Sequence, residues 1–196
     1  MSERTKSDLL EAIEAIDNQA IENVRAAFER REPKVIPLPR LAREALEAAP
    51  ADETYEDLPG DVLDVFKSNK SNNNDYMNDN QGDTKVQVQK YLDGGYTDDE
   101  LRKHLKDIDD ESISKLDKHL KETRETLVND LHDKKPEIQD KALRGRKSTC
   151  TTLGDVWSDI CTKIDDWLTS VVEEIGEWFN KAIDDVGNWF KNLFGF

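Results

Sequence analysis

The sequence predicts an all-α protein, and three kinds of observation carry that prediction. Apolar residues recur at helical spacing in the long segments 7–32 and 111–132, and helix-start and helix-stop residues bracket those segments. The last 44 residues, 153–196, read as four tandem 11-residue units: LGDVWSDICTK, IDDWLTSVVEE, IGEWFNKAIDD and VGNWFKNLFGF. The expected architecture is an acidic N-terminal helical hairpin (1–67), a flexible Asn-rich linker (68–84) and a small central helical module (85–133). A basic linker (134–152) and one long amphipathic helix (153–196) follow.

In the first helix, 7–32, Ser7 is the expected N-cap. Leu9, Leu10, Ile13, Ile16, Val24 and Phe28 form the apolar face, and Pro33 stops the run. Pro37 and Pro39 turn the chain into a second helix, about 40–49, that ends at Pro50. Residues 1–66 hold 8 basic and 16 acidic residues, so the outer surface of this hairpin is anionic. From Ser68 to Thr84 the chain reads SNKSNNNDYMNDNQGDT, with six Asn and little to bury, which predicts a linker. Its carboxylates lack the spacing of a calcium loop.

Helical pattern resumes at 85–92, turns at Asp93-Gly94-Gly95, and restarts at a capping box, Thr97 to Glu100, for a helix through about Lys106. The shape is that of a helix-turn-helix, but Asp98, Asp99 and Glu100 stand at the end a DNA groove would meet. Residues 111–132 place Ile113, Leu116, Leu120, Leu127 and Leu131 in a near-heptad pattern, as in a coiled-coil seam or a bundle helix. Asp107 to Glu111 open like a calcium loop, but the glycine is missing and Lys118 stands at the bidentate position.

The one basic stretch follows. Lys134, Lys135, Lys141, Arg144, Arg146 and Lys147 face only Glu137 and Asp140. Lys141, Arg144, Arg146 and Lys147 are the candidates for attraction to anionic headgroups, at about 1 kcal/mol each near a charged surface. The alternatives are a solvated linker and a strip that pairs with the acidic N-terminal helices.

In the repeats, the first position is Leu153, Ile164, Ile175 and Val186, and the fourth is Val156, Trp167, Trp178 and Trp189. The fifth is Trp157, Leu168, Phe179 and Phe190; Leu193 and Phe194 close the stripe. At about 3.67 residues per turn the stripe runs almost straight and covers an arc of roughly 130°. As a single rod the segment would be about 66 Å long at about 1.5 Å per residue. The opposite face is acidic, and no run of about 20 apolar residues is present to span a bilayer. Glycines at the second position, Gly154, Gly176 and Gly187, fit a helix that completes itself on docking.

The chain has 196 residues and a formal net charge of −15, which argues against nucleic-acid binding. No leader pattern precedes the first helix, so cytoplasmic synthesis is the expectation, with a peripheral-membrane or virion location to follow. Cys150 and Cys161 would lie about 16 Å apart on one helix, beyond disulfide reach, and are read as structural thiols. His104, His119 and His132 fall in no catalytic or metal-binding motif. No enzyme, metal or cofactor is expected.

Units of the form apolar-Gly-acid-Trp-Phe repeated every 11 residues resemble the aromatic repeats of phage tail tape-measure proteins, over residues 153–196 only. That resemblance implies a virion or assembly component that self-associates and contacts a membrane.

The functional expectation is a non-enzymatic helical protein that lies on a membrane interface through Trp157, Ile164, Trp167, Leu168, Ile175, Trp178, Phe179, Val186, Trp189, Phe190, Leu193 and Phe194. Binding should strengthen from pH 7 to 5 as the acidic face loses charge. One alternative is an assembly protein whose stripe packs on copies of itself or on a protein partner. The other is a monomeric bundle in which the stripe is core.

Overall fold

A computed structural model of the chain describes residues 4–29, 31–50, 52–167 and 173–196, with side chains through residue 160, at Lys163 and Glu177, and from residue 180 onward. Six helices form the described residues, with no strand among them: α1 (Lys6–Phe28), α2 (Arg40–Glu47), α3 (Gly60–Leu92), α4 (Asp98–Leu131), α5 (Pro136–Trp167) and α6 (Glu173–Phe194). The five long helices close a ring around one core. Helix α1 lies on α4 and α5, α3 on α4 and α6, and α6 on α5, while short α2 lies against α1 and α5.

Helix α1 starts at Thr5, two residues before the expected Ser7. Thr5 Oγ1 accepts from the Asp8 backbone N–H and Asp8 returns a bond to the Thr5 N–H, a reciprocal cap that Ser7 does not offer. The strap after α1 is tied back by Gln19 and Glu22. Gln19 accepts from the Ile36 N–H at 2.6 Å, and Glu22 accepts from the Lys34 N–H at 2.9 Å.

The segment expected to be a linker is helical throughout and lies within α3. Asn69, Asn73, Met77, Asn80, Thr84 and Val88 follow one another at steps of three and four, and all six are buried. Asn80 Nδ2 donates to Ser112 Oγ of α4 at 2.9 Å, and Thr84 Oγ1 donates to Asn80 Oδ1 at 3.1 Å. Asn is a weak helix former, but a face that packs on two other helices outweighs a preference of a few tenths of a kcal/mol per residue, ~0.7 at most.

The α3–α4 hairpin turns where the glycines predicted it. Gly94 takes φ of 77°, in the left-handed region that disfavours side chains, and its N–H and that of Gly95 bond back to Tyr91 O and Lys90 O. Helix α4 opens at the expected Thr97–Glu100 capping box but runs unbroken to Leu131, so the two central helices of the sequence reading are one.

The basic linker is helical too. Pro136 begins α5, where its missing N–H is harmless, and Gln139 Nε2 caps the Leu131 carbonyl of α4 at 2.9 Å. The single rod expected over 153–196 is instead the last part of α5 followed by α6, folded back as a hairpin. A Cβ at Gly145 of α5 would lie 3.6 Å from Phe194 of α6. Asp155 and Asp159 share a cleft of about 180 Å³ with Lys181 and Asp185. Folding in half lets the described aromatic stripe face inward.

Candidate functional site

The C-terminal hairpin and the two layers beneath it hold the unusual chemistry of this bundle. Trp157 is 1% exposed. Its indole N–H donates to Asn73 Oδ1 of α3 at 3.0 Å, and its ring meets Phe28 of α1 at 6.5 Å. Val186, Phe190 and Phe194 of α6 are buried; Trp189 and Leu193 are half-buried against the same core. Ile164, Trp167, Ile175, Trp178 and Phe179 belong to these two helices by backbone alone. Their side chains, and all of Leu168, lie outside the described residues.

The far end of α6 is fixed by an aromatic knot. Phe194 sits 4.6 Å from Phe66 of α3 and 5.1 Å from Tyr55, centroid to centroid, and the Tyr55 N–H donates to Leu193 O at 2.6 Å. Burying each such ring is worth roughly 1.5–3 kcal/mol. Beside the knot and further along α6, α3 also contributes polar contacts. Lys70 Nζ donates to Phe196 O at 3.1 Å and Lys67 lies 5.4 Å from that ring, while Gln81 reaches Asn180 at 3.4 Å. The outer face remains acidic, with Asp155, Asp159, Glu177, Asp184 and Asp185 exposed.

The basic cluster is placed differently from a headgroup-binding strip. Lys141 pairs with Asp57, and Arg144 grips Glu53 with two bonds of 2.6 Å while also donating to Ala45 O. Arg146 is 0% exposed. Lys147 is half-buried on the same helix. Pairing with the acidic N-terminal part is therefore how Lys141, Arg144 and Arg146 are used, and Lys134 joins them through Asp61 at 2.7 Å.

Arg146 is the centre of a buried polar layer. Its Nε donates to Asp17 Oδ1 of α1 at 2.7 Å, and its terminal nitrogens donate to Leu120 O and Thr123 Oγ1 of α4. Arg124 of α4 donates to the other Asp17 oxygen at 3.0 Å and to Glu14 at 2.9 Å. Cys150 completes the layer with a weak bond to Asp17, and its thiol is pushed up to about 12, chiefly by burial. Among the described residues, His119 Nε2 and Arg124 Nη2 are buried without a hydrogen-bond partner, as are both amide atoms of Asn69, Asn74 Oδ1 and Thr149 Oγ1.

The sequence carries no local signal for this layer: Asp17 falls in no motif, and Arg146 reads as one of the headgroup candidates. A signal did exist for α3, since Asn69, Asn73, Asn80 and Thr84 keep a helical period that a hydrophobic pattern does not register. No described helix is long and apolar enough to cross a membrane. Among the described residues, no three or more His, Cys, Asp or Glu side chains are grouped to hold a metal ion. Comparison with known protein families, curated proteins and solved structures finds no match for this chain.

Proposed function

We propose that this is a non-enzymatic helical protein that stores an amphipathic aromatic hairpin, α5–α6, and delivers it to a membrane interface. One observation carries the reading: α6 turns Val186, Phe190 and Phe194 inward but leaves Trp189 and Leu193 half-buried, and α3 edges this end of the chain with polar side chains, Lys67 and Lys70 at Phe196 and Gln81 at Asn180. A stripe that is partly uncovered and edged by polar side chains exchanges partners more readily than one enclosed on every side, because less apolar complementarity is lost on leaving. A lipid interface offers the same side chains a continuous apolar sink. The acidic outer face resists approach to anionic headgroups at neutral pH, so the favoured surface is weakly charged. Assembly with copies of this chain uses the same stripe and is the second reading.

The test is vesicle flotation of the full-length protein and of Phe194→Ala, which removes the knot that pins α6. The proposal expects the variant to bind phosphatidylcholine vesicles several-fold more than wild type while keeping its helical content. A concentration-dependent oligomer with no lipid binding favours assembly. If Phe194→Ala is only less stable, with neither binding nor oligomers, the stripe is plain core.

A further inference from the structure

We propose that the buried layer of Asp17, His119, Arg124 and Arg146 is an acid-sensitive latch, and that protonation of the His119 imidazole loosens α5 from α1 and α4 and so frees the α5–α6 hairpin. The inference rests on the stored-hairpin reading and names its regulation.

The charge balance inside the bundle motivates it. Two guanidinium groups, Arg124 and Arg146, share one buried carboxylate, Asp17, and among the described residues the other anion bonded to them is Glu14, half exposed at the rim. His119 is 6% exposed and its Nε2 has no acceptor. Around it, α5 contributes Arg146, whose guanidinium is bonded to the neighbouring Leu120 carbonyl, and α3 contributes Tyr76, edge-on at 6.3 Å. Asp79 of α3 is turned to Lys115 at 3.4 Å. On α4 itself, the exposed Glu122 is the anion that pulls on the imidazole. From α1, Glu14 is bonded to Arg124, and Asp17 to both arginines and to Cys150. An imidazolium here would be a third cation against one buried carboxylate, with a buried N–H that has nothing to donate to.

Burial first, and the Arg146 guanidinium second, hold the imidazole below the usual histidine value of 6.5, against a smaller pull from Glu122. The unfolded or opened chain therefore binds a proton near 6.5 while the closed layer does not. Closed-state stability is complete above about 6.5 and declines as pH falls below it, by at most about tenfold in the equilibrium per pH unit for one proton. Because Arg146 is the contact between α5 and α4 beside His119, the strain falls on the helix that leads into the hairpin.

The experiment is hydrogen exchange of α6 amides in lipid-free full-length protein from about pH 7.5 to about pH 5, corrected for the intrinsic pH dependence of exchange. It is run on wild type and on His119→Gln, a near-isosteric neutral side chain. The latch predicts a roughly three- to tenfold rise in α6 opening on acidification of wild type and no such rise in the variant. An equal rise in both overturns it. Should His119→Gln fail to fold, NMR titration of the wild-type His119 ring serves instead: a midpoint below 6.5 that coincides with α6 opening supports the latch, and an unperturbed midpoint or opening at a different pH overturns it. Acid opening that depends on His119, without any vesicle binding, supports the latch while removing the membrane reading.

Discussion

Trp157 and Asn73, separated by 84 residues in the chain, are joined by a buried 3.0 Å hydrogen bond from the indole N–H to the side-chain carbonyl. One partner comes from the aromatic repeats and the other from the run of asparagines. The bond shows why an asparagine is useful in the core of α3: it is an acceptor waiting for an indole. Trp157→Phe leaves that carbonyl buried without a donor, and should lower stability by about 1–3 kcal/mol. The double variant with Asn73→Leu should recover part of the loss, a coupling of at least ~0.5 kcal/mol in urea denaturation. Strict additivity would mean that the bond contributes nothing.

Asn69 is the opposite case. It is buried in α3 with neither amide atom bonded to a described residue. Asn69→Leu replaces an unsatisfied amide by an apolar group of similar size, so urea unfolding should show a gain of about 1 kcal/mol or more. Destabilisation by a similar amount would show that the amide has a bonding partner, such as an internal water, that the substitution removes.

Glu22 is the tie for the strap that follows α1. Hydrogen bonds from Arg31, then from the Lys34 N–H, hold its carboxyl at about 2 against an ordinary 4.5. A depressed carboxylate adds stability that is complete above about 4.5 and lost as pH falls toward about 2. Wild type should therefore exceed Glu22→Gln in protection of the strap amides at neutral pH. The difference should vanish near pH 2, as read by hydrogen exchange.

Cys150 should be chemically silent. With its thiol pushed up to about 12 by burial, it has almost no thiolate at pH 8. In a Cys161→Ala background, iodoacetamide should modify Cys150 only at the rate at which the bundle opens, and rapidly once denaturant is added. Fast modification of the native protein would mean that α5 is not packed on α1 as described.

What was legible in the sequence follows from which residues carry the helical period. Leu9, Ile13 and Ile16 mark α1, and Thr97, Glu100 and Gly94 mark the α3–α4 turn, because apolar spacing and capping are local signals. The middle of α3 was misread as a linker because its period is written in asparagine and threonine, whose partners Ser112 and Trp157 are remote. The start of α5 was misread because Arg144 and Arg146 look solvated until Glu53 and Asp17 are placed beside them. The repeat predicted one uniform surface. A hairpin buries the same described stripe with half the length, a choice that depends on Phe66, Tyr55 and Gly145 and not on the repeat itself.

The stored-hairpin reading requires that the C-terminal hairpin open, α6 first, while α1 and α4 stay packed. Native-state hydrogen exchange across a series of low urea concentrations tests it most directly, because it separates local opening from global unfolding helix by helix. The amides of α6 should exchange through an opening with a small urea dependence and a free energy well below that of α1 and α4. Exchange of α6 only through the same global unfolding as α1 and α4 would contradict it, and would leave the aromatic stripe as core and nothing more.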